Sequence, residues 1–398
     1  MCQFDFKDTP FRYQSKLNFI DLFSGAGGLS YGLEKAGLNC LVGIDFLAPA
    51  IETFNHNHPN SIGICGNLKE ISPKDIKKLI GNKKVNLICG GPPCQGFSTV
   101  GRGDAEDSRN HLFYEFLKFV EFFKPNHIMI ENVTGLVARK NENTLLSIFD
   151  CFSKLGYELD IRVLTASHYG VPEARRRVII LGNNRGKENF YPEKKFANYG
   201  EENKKLKPVR TVDWAFKNLM EYRKKIHNHD IDGAFIKSNI EQARINAVPE
   251  GKNIRYERDE KAYLPEELWF DHDWNTLNEK RFREAKFTRL DSAKPSPTIV
   301  TSSKTYYHPT ENRYLTAREA AAIQSFPAKF VFQGSTSKQW TQIGNAVPPI
   351  MAEALGKAVI KSHESRKRKP KDTVPLDFEQ IRSYAFKYDK DTFDNSSN

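Results

Sequence analysis

Short apolar runs alternate with amphipathic stretches from Leu17 to about Gly182. The runs have the length of buried strands, and the stretches between them have the spacing of helices that cover a sheet. The alternation therefore predicts an α/β domain with a mostly parallel sheet. We expect strands at 17–23, 41–45, 85–89, 128–130, 159–166 and 177–181. The clearest helix should start at a cap on Asp107 or Ser108 and end before Pro125.

The chain has 398 residues, more than one hydrophobic core usually serves, so a second domain is expected. After Gly182 the composition shifts to Lys, Asn, Glu and Tyr with weak periodicity, and it stays so until about Pro309. A helix predicted over 316–326 begins with a capping box of Thr316 and Glu319. We therefore divide the chain into a first domain (1–185), a smaller irregular domain (186–309), a return segment that completes the first (310–361) and a basic tail (362–398).

Composition narrows the class of protein. With 39% hydrophobic and 27% charged residues the chain suits a soluble globular protein. No apolar run approaches the ~20 residues of a membrane span, and the first ten residues do not resemble a secretory signal, so a cytoplasmic location is expected. A formal net charge of +11 is compatible with a polyanionic partner. The six cysteines lack the spacing of a zinc site or a disulfide framework, and no metal is expected.

A glycine-rich turn, Phe-Ser-Gly-Ala-Gly-Gly at residues 23–28, directly follows the first predicted strand. Such a turn lets a ligand lie against backbone N–H groups, although a plain structural turn is the alternative. Ser30 stands where a dinucleotide fingerprint has its third glycine, which favours adenosine without pyrophosphate. Asp45, about twenty residues on, is placed to accept hydrogen bonds from ribose hydroxyls or to cap the helix after it, and Phe46 offers a face for adenine.

Three further elements with polar side chains lie at the ends of later predicted strands. Gly-Gly-Pro-Pro-Cys-Gln-Gly-Phe-Ser at 90–98 holds Cys94 on a rigid turn, where a nucleophile is expected and a buried structural cysteine is the alternative. Glu131 begins Glu-Asn-Val after the next strand, within reach of the same crevice. Arg175 and Arg177 alternate to one side at the start of another strand, unless they are ordinary surface arginines.

At this point the residues resemble the DNA cytosine-5 methyltransferases of bacterial restriction-modification systems. Six motifs occur in the family's order: the turn at 23–28, Pro-Pro-Cys-Gln, Glu-Asn-Val, Arg-x-Arg, Leu-Thr-Ala-Arg-Glu-Ala at 315–320 with Gln-Ser-Phe-Pro at 324–327, and Gly-Asn-Ala-Val-Pro-Pro at 344–349. The resemblance covers about 17–182 and 310–361. It implies a Rossmann-like S-adenosylmethionine-dependent methyltransferase fold for the first domain and a target-recognition domain at 186–309.

The resemblance also implies a mechanism. Cys94 would add as a thiolate to carbon 6 of a cytosine swung out of the duplex, and Glu131 would hold ring nitrogen 3. Arg175 would hold the target base, while Arg177 would brace Glu131 or its loop. Residues 98–109 are similar to the family's mobile loop, with a merely flexible surface loop as the alternative. Expected DNA contacts are Gln95, Ser98, Arg102 and Arg109.

The cofactor implied is S-adenosylmethionine, released as S-adenosylhomocysteine. Its expected contacts are Phe23, Gly25, Ala26, Gly27, Gly28, Leu29, Asp45, Phe46, Asn67, Leu68, Gly91, Pro93, Leu112, Asn345, Ala346 and Val347. Asn67 stands where the family usually has an aspartate, and Glu173 replaces a common glutamine. Double-stranded DNA is the expected partner, a cognate restriction endonuclease is implied, and the protein is expected to be a DNA-associated monomer in the bacterial cytoplasm.

Three rival functions remain open. A branch of the family methylates transfer RNA, but its Cys-Phe-Thr signature is absent, since Lys286 precedes Phe287 and Thr288. A non-catalytic DNA-binding regulator on the same scaffold would not need Cys94 and Glu131 intact. An NAD-dependent oxidoreductase would need the missing third glycine of the turn.

Overall fold

The computed structural model describes residues 17–92, 111–367 and 377–386. These residues divide into two compact units. The first holds the described residues up to Gly170, residues 175–208 and those from Ala346 onward. The second holds 171–174 and 209–345. No helix in the described ranges has the length and apolar character that crossing a membrane requires.

A seven-stranded sheet forms the centre of the first unit, in the order β3-β2-β1-β4-β5-β7-β6. Its strands are β1 (Asn18–Leu22), β2 (Asn39–Asp45), β3 (Ile62–Cys65), β4 (Leu87–Gly90), β5 (His127–Asn132), β6 (Glu158–Thr165) and β7 (Arg176–Asn183). Strands β1 to β5 pair in parallel, and β7 runs antiparallel to both of its neighbours. The predicted α/β fold with a mostly parallel sheet is confirmed.

Burial follows strand position. In β4 all four residues are buried, as expected of a strand that helices cover on both faces. The edge strand β6 alternates between buried and more exposed residues. The opposite edge strand, β3, was not predicted, because its four residues are short of a clear run and none of them is buried.

Seven helices of the described first unit are α1 (Gly28–Ala36), α2 (Ala48–Asn57), α3 (Pro73–Ile80), α4 (His111–Phe123), α5 (Glu142–Lys154), α12 (Pro349–Glu364) and α13 (Phe378–Phe386). Helix α3 starts with Pro73 behind the cap Ser72, whose hydroxyl accepts from the Lys74 amide at 3.2 Å. Helix α4 ends before Pro125 as predicted, while its expected caps, Asp107 and Ser108, lie outside the described residues.

Helices α1 and α12 pack together unusually closely. A Cβ on Gly32 would stand 2.3 Å from the Pro349 carbonyl oxygen and 2.4 Å from the Ala352 Cβ. On α12, a Cβ on Gly356 would stand 2.6 Å from the Ala36 Cβ. Glycine at these positions lets the two backbones approach closely. Helix α12 therefore packs directly against α1, the helix that follows the glycine-rich turn.

The second unit combines two small strand pairs with short helices. Its strands are β8 (Ile254–Tyr256), β9 (Arg281–Lys286), β10 (Thr288–Arg289) and β11 (Tyr306–Tyr307). Its helices are α6 (Val212–Met220), α7 (Ile231–Ala234), α8 (Asn239–Ala247), α9 (Glu257–Tyr263), α10 (Ala317–Ile323) and α11 (Thr336–Asn345). Part of its core is aromatic and includes buried Trp274 and Tyr307. The capping box of Thr316 and Glu319 at α10 is confirmed.

The boundaries of these units do not coincide with the domain limits expected from sequence. Residues 310–345 belong to the second unit, although they were assigned to a return segment of the first. Residues 171–174 also belong there, because Ala174 donates its amide to Ser296 at 2.8 Å and Ser296 donates to Pro172 at 2.9 Å. The functional division into catalytic and recognition domains stays a prediction.

Candidate active site

The strand order reverses next to β1, which lies between β2 and β4. In open α/β sheets such a reversal leaves a crevice at the carboxyl ends of the strands. Leu22 and Gly90, the last residues of β1 and β4, are paired there. A Cβ on Gly90 would stand 1.8 Å from the Leu22 carbonyl oxygen, so the pairing requires glycine. The glycine-rich turn and the chain at Gly91 and Pro92 thus follow adjacent strands at the same edge of the sheet.

The turn after β1 has a left-handed backbone at Phe23, Gly25 and Gly27, with φ of 65°, 54° and 91°. Among the described residues, no heavy atom other than those of its chain neighbours lies within 4 Å of a Cβ built on Gly25, whereas one on Gly27 would meet His58 Nε2 at 2.3 Å. Within the described residues Gly25 is therefore open to a ligand, whereas Gly27 packs against the His58 ring. Such a turn offers backbone to a ligand on one side only.

Asp45 joins this turn to the end of β2. Its Oδ2 accepts from the Gly25 amide and its Oδ1 from the Leu47 amide, both at 2.9 Å. Burial raises the pKa of Asp45 above its ordinary value, and the backbone hydrogen bonds oppose that rise. Asp45 thereby ties the turn after β1 to the chain just before α2, but it does not cap that helix, whose N-cap residue is Leu47 and which has no side-chain cap. Each oxygen retains a lone pair toward which a ligand hydroxyl can donate.

The other expected cofactor residues are distributed over several elements. The Phe46 side chain is 70% exposed. Asn67 is exposed and accepts the Lys69 amide through Oδ1 at 3.2 Å. The residues Ala26, Gly28, Leu29, Leu68 and Val347 are buried, and Gly91, Leu112 and Ala346 are half-buried. Asn345 is exposed at the end of α11 and belongs to the second unit.

Glu131 lies near the carboxyl end of β5, where an arginine holds one oxygen of its carboxylate and the other lies close to the backbone of a glycine. Arg177 Nε is 2.9 Å from Glu131 Oε1, and each side chain is only 12% exposed. A Cβ built on Gly91 would stand 3.0 Å from Glu131 Oε2. The carboxylate therefore lies beside the backbone three residues before Cys94.

Asn132 is a positioning residue that sequence reasoning overlooked. Its amide nitrogen donates to the Pro92 carbonyl oxygen at 2.9 Å, and its Oδ1 accepts the Val133 amide at 2.9 Å. The side chain links the end of β5 to the chain that leaves β4. The Glu-Asn-Val motif carries the signal, because it places this asparagine directly after the predicted acid.

Arg175 and Glu173 are both buried, at 1% and 0% exposure. The Arg175 carbonyl oxygen accepts the Ala166 amide at 2.8 Å, in the first unit. Glu173 belongs to the second unit, where its Oε1 accepts the Ile299 amide at 2.6 Å. Six further expected site residues, Pro93, Cys94, Gln95, Ser98, Arg102 and Arg109, lie outside the described residues.

Two buried polar pairs below the turn were also not predicted. The Ser30 hydroxyl donates to Asp21 Oδ2 at 2.6 Å, and burial raises the pKa of Asp21 to about 7. His58 Nδ1 is 2.6 Å from Glu34 Oε2, with both side chains almost fully buried. An acidic residue inside the apolar run of β1 was the available signal for the first pair. Of the two pairs, the one with His58 lies beside the turn, because a Cβ built on Gly27 would meet the His58 ring.

Comparison with known proteins agrees with this arrangement. The profile of C-5 cytosine-specific DNA methylases matches residues 17–361. Type II methyltransferase M1.HphI of Haemophilus parahaemolyticus is 33% identical over 88% of this chain and 88% of its own length. M.DdeI of Desulfomicrobium norvegicum is 32% identical over 86% and 88%. A prophage-encoded E. coli protein described as a DNA modification methyltransferase has a similar structure, with a TM-score of 0.66 and 26% identity over 88% of this chain and all of that one. The chain belongs to the C-5 cytosine-specific DNA methylase family and is a DNA (cytosine-5-)-methyltransferase of the restriction-modification type.

Proposed function

We propose that the protein flips a target cytosine out of double-stranded DNA, bonds it transiently to Cys94 and methylates its carbon 5, as the protective partner of a restriction endonuclease. The observation that carries the proposal is the position of Glu131. Its carboxylate is held by Arg177 and lies against Gly91, in the chain that leads to Cys94. A fixed acid next to the start of a cysteine-bearing turn suits activation of a ring by nucleophilic addition.

The residues of the turn fit S-adenosylmethionine as the cofactor. Space above Gly25 accommodates a ligand close to the backbone, and the exposed Phe46 ring offers a face for adenine. Asp45 is placed to accept from the ribose hydroxyls. Once bound, the cofactor supplies an electrophilic methyl group at the sulfonium centre.

Carbon 5 of cytosine is a weak nucleophile, so the chain's residues must first raise its electron density. The Cys94 thiolate forms a bond to carbon 6, and the displaced electron pair moves toward carbon 5 as Glu131 donates a proton or hydrogen bond to nitrogen 3. After methylation a base removes the carbon 5 proton, and its electron pair re-forms the ring double bond as the thiolate leaves. The carbon 5 proton passes to that base, the proton shared with nitrogen 3 returns to Glu131, and Cys94 recovers its thiolate.

The remaining residues orient the reactants. Arg177 keeps Glu131 directed toward the crevice through its Nε. We assign Arg175 to hold the target base, and residues 98–109 to close over the DNA once the base has left the stack. Gln95, Ser98, Arg102 and Arg109 then contact the DNA. The protein acts as a monomer in this scheme, with residues 186–309 selecting the site.

The proposal is tested by trapping the covalent intermediate. Bisulfite sequencing of DNA from cells that express the protein first identifies the methylated site. A duplex with 5-fluorocytosine at that site and added S-adenosylmethionine should then bind covalently, because the fluorine prevents loss of the carbon 5 substituent. Cys94→Ala should bind DNA without trapping, and Glu131→Gln should trap slowly. If the unaltered protein methylates the site yet never traps the duplex, the Cys94 mechanism is wrong; if it methylates transfer RNA instead, the substrate is wrong.

A further inference from the structure

Helix α13 lies beyond residue 361, where the family match ends, and nevertheless contacts the first unit. We propose that α13 is a strap that positions residues 133–142, the segment that follows Glu131 and Asn132, with Arg382 as the positioning residue. The inference rests on the proposed function of Glu131. It adds to that function a dependence on a segment outside the family region.

Arg382 makes the contacts on which the strap depends. Its Nε donates to the Val137 carbonyl oxygen at 3.1 Å, and its NH2 group forms an ion pair with Glu142. Its NH1 group also donates to Glu379 on its own helix at 2.7 Å. The Arg382 side chain is 11% exposed, unlike that of Arg139, which pairs with Glu379 at 79% exposure. Pairs exposed to that degree contribute little, so Arg382 is the polar contact that matters.

Apolar contacts seat the helix. Ala385 is buried in the main core of the first unit, and Phe378 and Ile381 pack against the same core. A helix of nine residues is not stable alone, so these contacts are what hold it. The tail therefore carries a docked element and is not merely a basic extension.

The strap contacts a short segment that continues directly from the site. Residues 133–142 run from the end of β5 to the start of α5, with 3-10 turns at Thr134–Val137 and Arg139–Asn141. Within the segment, Asn141 donates its side-chain amide to the Gly135 carbonyl oxygen at 2.7 Å. Arg382 contacts the segment at Val137 and at its far end, Glu142. It thereby ties the middle of the segment and its far end to α13.

The segment begins at Val133, directly after the candidate active-site residues Glu131 and Asn132. Val133 donates its amide to Asn132, and Asn132 holds the Pro92 carbonyl oxygen two residues before Cys94. A shift of residues 133–142 would thus move Asn132 and Glu131 relative to Gly91 and Pro92, which precede Cys94 in the sequence. Displacements of about 1 Å at such positions can reduce rates by up to 10²-fold.

The test is Arg382→Gln, compared with Arg382→Lys, which keeps the charge but not the fork of donors. We expect Arg382→Gln to lower the single-turnover methylation rate roughly ten-fold, with S-adenosylmethionine affinity within about two-fold of the unaltered protein. Arg382→Lys should recover part of the rate. Glu142→Gln changes the other side of the contact and should show the same pattern. Lys154→Gln is the matched control, because it removes an exposed pair with Asp150 at the far end of α5 and should leave the rate unchanged.

Hydrogen exchange separates positioning from general stability. In Arg382→Gln the amides of Leu136, Ala138 and Asn141, which donate within the segment, should lose protection, while those of α1 keep theirs. An unchanged methylation rate overturns the inference. A loss of exchange protection that is as large in α1 as in residues 133–142 also overturns it, and so does an equally general loss of cofactor affinity. If the unaltered protein itself fails to trap 5-fluorocytosine DNA, the proposed function fails instead, whatever Arg382→Gln does.

Discussion

Arg177 contacts Glu131 through Nε, at 2.9 Å from Oε1, and leaves Oε2 beside the backbone of Gly91. Both side chains are nearly excluded from water, so the pair is weakly screened and its geometry is well defined. The same carboxylate thus has one oxygen engaged by the arginine and one directed to the chain that precedes Cys94.

Removing the Arg177 charge should slow catalysis more than it weakens binding. Arg177→Gln is expected to reduce the methylation rate at saturating cofactor and DNA by roughly ten-fold to a hundred-fold, because Glu131 loses its fixed direction. Arg162→Gln on β6, whose guanidinium lies over the Tyr191 ring, serves as control. A lower single-turnover rate with unchanged DNA affinity would support the prediction. A change confined to KM, with the rate at saturation unchanged, would contradict it.

Asp21 should make stability depend on pH in an unusual direction. Burial raises its pKa from 3.8 to about 7, and the Ser30 hydrogen bond only partly offsets this. Between those values the unfolded chain has released the proton while the folded protein keeps it, so a rise in pH favours unfolding; above about 7 the effect is complete. Relative to Asp21→Asn, the free energy of unfolding of the unaltered protein should fall by up to roughly 4 kcal/mol between pH 4 and pH 8. Urea unfolding of both proteins at both pH values measures this change. The prediction is wrong if the stability of the unaltered protein and that of Asp21→Asn change with pH by the same amount.

The contact between α1 and α12 should not tolerate even one methyl group. Gly32→Ala places a Cβ 2.3 Å from the Pro349 carbonyl oxygen, so the helices must separate. We expect the free energy of unfolding to fall by about 1–3 kcal/mol, as for other overpacked sites. Gly135→Ala is the control, since its nearest neighbour would be 3.9 Å away. Equal unfolding curves for the two variants would mean that the close approach is not needed.

Asn67 should limit cofactor affinity if it faces the adenine amine. Its Oδ1 already accepts the Lys69 amide at 3.2 Å, and a neutral amide oxygen is a weaker acceptor than a carboxylate. Asn67→Asp is therefore expected to strengthen S-adenosylmethionine binding several-fold, corresponding to about 1 kcal/mol. Titration calorimetry measures the change. An affinity that stays the same or falls would remove Asn67 from the adenine contacts.

The sequence predicted the central sheet well because buried parallel strands are apolar on both faces, as β4 is. It missed β3, whose residues are not buried, and α11, whose polar sequence Thr-Ser-Lys-Gln-Trp-Thr-Gln resembles a loop. Helix α13 was missed for a related reason. Its stability comes from packing on distant residues such as Val137, which local periodicity does not reveal.

The candidate site was predicted in its residues more than in its contacts. Motifs indicated Glu131, Arg177 and Asp45, since each follows or begins a strand at the same edge of the sheet. They did not indicate that Asn132 holds Pro92 or that Asp45 holds Gly25, because such pairs join strands far apart in sequence. The assignment of 310–345 to the first domain has the same origin: the family motifs there are shared, but the segment packs with residues 209–309.

The pairing of α1 with α12 also determines when the first unit can finish folding. Helix α1 ends at Ala36 and its partner begins only at Pro349, after the whole of the second unit has been synthesised. During translation the face of α1 that receives α12 therefore stays uncovered while most of the chain emerges from the ribosome. A message truncated before the codon for Pro349 would yield a protein whose earliest helix never acquires its cover, and such a fragment should depend on chaperones or be degraded.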